Sequence, residues 1–256
     1  DELSGHRLEL LWTSAGHSFA NQLLPARTGE LVFPELWRRA TGETYAEGTV
    51  VLAAIRIVEL GVVASLYGIA MIVWLLGQAE TGASVWLVGG LIGAGVAVIV
   101  ALPWLLRIGL GLADRLFRQT RLADISWLAP LREAIPRAGQ AVDRLGRRER
   151  IWLVVTSIAM WMAMFGVFWF TVAACGAGLG LAQTIVGAGG GIVGNLLPLG
   201  TVGSLGTMEA GWTAAFRATG APVGPVVASG LLVHVIVIAG SGVAAGLAAV
   251  GDRLLS

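Results

Sequence analysis

The sequence predicts an all-α integral membrane protein, with about four full transmembrane helices plus two re-entrant helical hairpins related as an inverted repeat. A basic amphipathic segment separates the halves. Three observations predict this. Hydrophobic residues make up 56% of the 256 and charged ones only 13%, whereas a soluble domain holds about 25% charged residues, so the chain is built for a lipid solvent. Four apolar runs are long enough to cross a bilayer at about 20 residues per span. Two further apolar segments are each interrupted by proline and glycine, and the interruptions share an order of residues.

The first membrane half is residues 1–106. It holds a broken segment at 8–40 and spans at 48–76 and 83–106. The second half is 151–256, with a span at 151–175, a broken segment at 181–218 and a span at 221–249. Each arm of a broken segment is too short to cross alone. Non-helical backbone at membrane depth survives only when buried in protein or lining a watery cavity, which hairpins dipping into the bilayer satisfy. Trp74, Trp86, Trp104 and Trp152 lie near the ends of the long runs, where indole rings favour the headgroup zone.

Between the halves, 107–150 carries ten arginines against five acids, a net +5. Its apolar residues recur with a helical period, predicting two amphipathic helices broken near Pro130 and Pro136. A positive loop of this length is expected on the cytoplasmic side of a bacterial inner membrane. Those arginines act either as a topology signal alone or also as a capture surface for anionic headgroups. The opening "DELSGHRLELLW" lacks the basic-then-apolar order of a signal peptide, and a preceding segment is expected.

The broken segments read as copies. "NQLLP" is followed by "GE", then "RRATG" and a span, while "NLLP" is followed by "MEA", then "FRATG" and a span. Aligning the two "ATG" triplets sets Arg56 opposite His234 and Glu30 one position from Glu209. The flanking charges imply entry from opposite sides, which is an inverted-topology repeat of the kind that surrounds a midplane substrate site.

Polar residues inside such segments are the candidates for chemistry. A charge at bilayer depth costs about 2.5–3.5 kcal/mol, so Arg56 and Glu59, three apart on one helix face, are expected to pair. The pair either locks helix packing or lets Arg56 offer its planar fork to a phosphate while Glu59 holds it. Arg27 and Glu30 follow Pro25. They form an interfacial ion pair, or Arg27 joins free backbone N–H groups near Gly29 in binding an anion. Asn21 and Asn195 bond exposed carbonyls at the breaks or contact ligand. Gly200, Gly203 and Gly206 recur at every third position, allowing close backbone approach or a flexible turn. Glu209, alone among acids between Glu149 and Asp252, is a candidate proton carrier, and His234 is either a titrating partner or a packing residue.

No nucleophile–base set, metal cluster or nucleotide loop stands out, so no cofactor, metal or nucleic acid is expected. One cysteine, Cys175, excludes an internal disulfide.

At these residues the chain resembles the lysylphosphatidylglycerol synthase transmembrane (flippase-like) family. That family's Asn-x-x-x-Pro-x-Arg-x-Gly-Glu signature is similar to Asn21 through Pro25, Arg27, Gly29 and Glu30. Its Arg-x-x-acid resembles Arg56 and Glu59, and its late Pro-Gly-Gly-x-Gly running into Glu-Ala resembles Pro198 to Glu209-Ala210. The chain departs from the pattern where "LGTVGSLG" follows Pro198 and where Phe33 replaces a frequent arginine. The resemblance implies a non-enzymatic protein that translocates an anionic phospholipid or lipid-linked precursor. The rival expectations are a lipid-presenting partner of a membrane glycosyltransferase or aminoacyl transferase, and an intramembrane lipid-phosphate enzyme. Expected partners are membrane lipid, a lipid-modifying enzyme and a second copy of the chain.

Overall fold

The structure, a computed structural model, describes residues 7–78, 83–119, 129–144, 146–196 and 205–255. These residues are helical apart from short turns, and no strand occurs among them. Helix α1 (Arg7–Leu23) leads into a 3-10 turn, Pro25–Leu31, which Pro25 opens at a position where its missing N–H costs nothing. Helix α2 (Phe33–Thr41) stops at Gly42, whose φ of 73° suits glycine and whose N–H donates to the Arg38 carbonyl. Two residues later a capping box starts α3 (Tyr45–Gly77). The Thr44 hydroxyl accepts the Glu47 N–H, and the Glu47 carboxylate accepts the Thr44 N–H.

The second half repeats this order. Helix α8 (Leu181–Leu196) precedes the break, α9 (Thr207–Ala218) follows it, Gly220 turns at φ 80°, and α10 (Val223–Leu255) runs on. Helices α3 and α10 are each 33 residues long. At about 1.5 Å per residue either exceeds a hydrocarbon core of about 30 Å. The helices cross-pack: α1 lies on α10, and α8 lies on α3.

Helix α4 (Ala83–Val100) and α5 (Leu102–Gln119) depart from expectation. In place of one span to residue 106, the chain bends by 70° after Val100. Pro103 cannot donate to a carbonyl one turn back, and Leu102 and Leu106 turn inward to pack with Val58 and Val62 of α3. Helix α6 (Ala129–Arg144) is the other departure. It starts beside Pro130 but runs through Pro136 instead of breaking there. Pro136 is exposed, so its ring crowds no neighbouring helix, while Ala138 and Val142 anchor the opposite face in the α3–α5 core. Arg107 and Asp143, 2.7 Å apart, tie α5 to α6.

Helix α7 (Arg147–Ala174) completes the set. Among the described residues, three helices, Tyr45–Gly77, Arg147–Ala174 and the stretch Val223–Gly251, are long and apolar enough to cross a membrane, and the bent α4–α5 pair would make a fourth. The chain is therefore a multi-pass membrane protein. Trp86, Trp104 and Trp152 are exposed at helix ends as expected. Trp74 instead turns inward against the larger core, which joins α7 to α9 through Phe165, Phe168, Val172, Trp212 and Phe216.

Helices α8 and α9 touch backbone to backbone. A Cβ on Gly190 would run into the Gly211 carbonyl, and one on Gly211 into that of Gly190. Such small-residue contacts replace the hydrophobic drive that lipid removes between helices.

Candidate functional site

A cavity of about 610 Å³ lies between the two halves. Arg56, Glu59 and Glu30 line it from the first half, and Asn195 and His234 from the second. The rest of its wall is mostly apolar, including Leu60, Val63, Met164, Phe168 and Ile192.

Arg56 stands at the middle of the first polar cluster because α3 projects it toward the 3-10 turn and α1. Its Nη2 lies 2.7 Å from Glu30 Oε1, and its Nε donates to Glu30 Oε2 at 3.2 Å. Its Nη1 donates to Glu59 Oε2 at 2.6 Å, across one helical turn. The fork expected to face a phosphate is thus occupied on both edges by carboxylates. Glu30 reaches this place because Gly29 is packed directly on the backbone of Asn21, where no Cβ would fit. Asn21 Nδ2 donates to Glu30 Oε1 at 3.3 Å. Its Oδ1 is buried without a hydrogen-bond partner, an unsatisfied acceptor that costs about 1–3 kcal/mol unless something supplies a donor.

His17 completes the cluster and escaped the sequence reading. It sits four residues before Asn21, on the same face of α1, and that spacing was the available sign. Its Nδ1 is 3.2 Å from the Gly29 carbonyl and its Nε2 is 3.2 Å from Arg56 Nη2. A carbonyl can only accept and a guanidinium can only donate, so Nδ1 carries the proton and Nε2 is bare. His17 is neutral in this arrangement.

The second cluster is simpler. His234 Nδ1 lies 2.6 Å from Glu209 Oε1, and Glu209 Oε2 accepts the Gly206 N–H at 2.7 Å. Gly206, at φ 96°, forms the N-cap of α9, with Glu209 in its first turn. The positions aligned by the "ATG" triplets therefore hold matching contacts. In each half, a polar group of the long helix meets a carboxylate from beside the break.

Other expected residues fall differently. The described residues beside the breaks are engaged within their own halves. Gly29 is buried against α1, and Gly206 is taken up by its own Glu209. Asn21 bonds a carboxylate, where an exposed backbone carbonyl or a ligand was the expected partner. Gly200 and Gly203, with Pro198, lie outside the described residues, as does the side chain of Arg27. No group of three or more metal-ligating side chains occurs among the described residues.

A family described as the lysylphosphatidylglycerol synthase TM region matches residues 5–245, which covers both clusters and the cavity between them. No curated protein and no solved structure matches the chain.

Proposed function

The chain belongs to the lysylphosphatidylglycerol synthase TM region family, and from that premise we propose that it translocates an anionic phospholipid or lipid-linked precursor across the bacterial cytoplasmic membrane. The cavity carries the reading. It is large enough for a headgroup, takes polar groups from both halves into its wall, and is otherwise lined by apolar side chains that suit acyl chains. Arg56 binds the headgroup phosphate once a carboxylate yields one edge of its fork. Glu30, Glu59 and Glu209 set the charge of the chamber, with Asn21 and Asn195 as polar contacts. The 107–150 segment faces the cytoplasm, where its arginines gather anionic lipid at the entrance.

Reconstitution into liposomes with headgroup-labelled phosphatidylglycerol tests this, using accessibility of the label to a membrane-impermeant quencher. Protein is expected to speed exchange between leaflets at least about tenfold over empty liposomes, which corresponds to about 1.4 kcal/mol of barrier. The Arg56→Ala, Glu209→Ala double variant should lose that gain, and unchanged exchange in it would count heavily against the reading.

One contact favours a second reading. His234, bonded to Glu209 and lining the cavity, is arranged as a base held by a carboxylate, which an intramembrane lipid-phosphate enzyme needs. Release of labelled headgroup from phospholipid by the purified protein would select it.

A further inference from the structure

The cavity has the wrong charge to receive an anion as it stands. Among the described side chains that line it are two carboxylates, Glu30 and Glu59, and one guanidinium, Arg56, which pairs with both. With Nε2 of His17 bare, that leaves one negative charge in excess. A phosphate entering this site raises the excess further and meets a fork already filled. Both difficulties are solved by one added proton, and the hydrogen bonds indicate where it goes.

Deepening the translocation reading and resting on it, we infer that anionic headgroup binding is coupled to uptake of one proton at His17 Nε2. In the arrangement described, Nε2 is bare and accepts from Arg56 Nη2. The same Nε2 is 3.8 Å from Glu30 Oε2. A proton there turns Nε2 from an acceptor into a donor. It can no longer accept from Arg56, and it becomes the cationic partner of Glu30. Glu30 is then satisfied by His17 and Asn21, and Arg56 Nε and Nη2 are released toward the cavity that Arg56 lines. The proton passes from bulk water to imidazole nitrogen, no bond between heavy atoms changes, and the site gains one positive charge as the phosphate arrives. Other groups facing this centre are Glu59 on α3, Asn195 on α8, and the Glu209–His234 pair from α9 and α10. Of these, Glu59 stays on Arg56 Nη1 and keeps the freed fork oriented. His17 acts through Arg56, so it is a positioning residue.

Short-chain phosphatidylglycerol is a suitable soluble probe for the full chain in detergent. Calorimetric titration in buffers of different ionisation heat should show about one proton taken up per lipid bound, with affinity falling about tenfold per pH unit above neutrality. His17→Gln should bind without proton exchange and without that pH slope. Nitrogen NMR of labelled histidine gives a readout on unaltered protein, because Nε2 of His17 should become protonated as lipid is added. Glycerol phosphate run in parallel separates headgroup from lipid, and the apolar wall predicts weaker binding of this soluble analogue. Equal affinity for the two would overturn the lipid assignment. Binding without proton uptake, proton release on binding, or uptake that persists in His17→Gln would each overturn the coupling while leaving translocation standing. Failure of phosphatidylglycerol to bind at any pH would remove both.

Discussion

Arg56 donates from three nitrogens to two carboxylates and a histidine, and most of what the site can do turns on which of those partners lets go. The polar identities were legible early, because a charge inside an apolar helix is costly and advertises itself. The partners were less so. Glu59 could be assigned from helical spacing alone, but Glu30 and His17 reach Arg56 only through the fold of the break against α1, which no local rule dictates. A contrasting cluster runs along α2, outside the three long apolar helices. There Glu35 takes hydrogen bonds from Arg38 and Arg39, which hold its carboxyl down to about 2. A depressed carboxyl adds stability above its ordinary value of 4.5, and the contribution disappears as pH falls toward about 2. An Arg38→Ala, Arg39→Ala variant should return Glu35 to the ordinary range, as read by carboxyl NMR titration. A carboxyl that still titrates near the folded value in that variant would show another cause.

At the scale of elements, long spans were the easiest to foresee, since 20 or more apolar residues leave few alternatives in water or lipid. The two misreadings both involve proline. Pro103 was absorbed into a span but lies just past a sharp bend, whereas Pro136 looked like a break and sits inside α6. In both cases burial of neighbouring side chains against α3 decided the outcome, and that contact is invisible along the chain. Helices α8 and α9 make a separate case, because their separation is fixed by bare backbone at Gly190 and Gly211. Gly190→Leu should force the arms apart and cost about 1–3 kcal/mol, seen as a lower unfolding temperature in detergent. No change in that temperature would mean that the hairpin relaxes freely.

Across the whole molecule, the order of breaks, short helices, "ATG" turns and long helices was visible as a weak repeat, and the exchange of α1 and α8 onto each other's long helices was not. Sequence similarity between halves says that they share a pattern, but not that each half completes the other. Relative motion of the halves follows as a test. Tyr67 on α3 presses against Gly189 on α8, so cysteines at both places, with Cys175 replaced, can be bridged by a short bis-methanethiosulfonate, which a reductant later cleaves. Bridging should abolish leaflet exchange and cleavage of the bridge should restore it, while exchange that continues in bridged protein would rule out alternating access between α3 and α8. The glycine seam inside the second hairpin bears on the same motion. With backbone against backbone at Gly190 and Gly211 and the Phe216 and Trp212 rings laid on Gly187 and Gly191, the hairpin's two arms have little room to slide past each other. The pivots left to it are the turns at Gly178 before α8 and Gly220 after α9. A lipid translocated as proposed would meet there a stiff blade instead of a yielding wall.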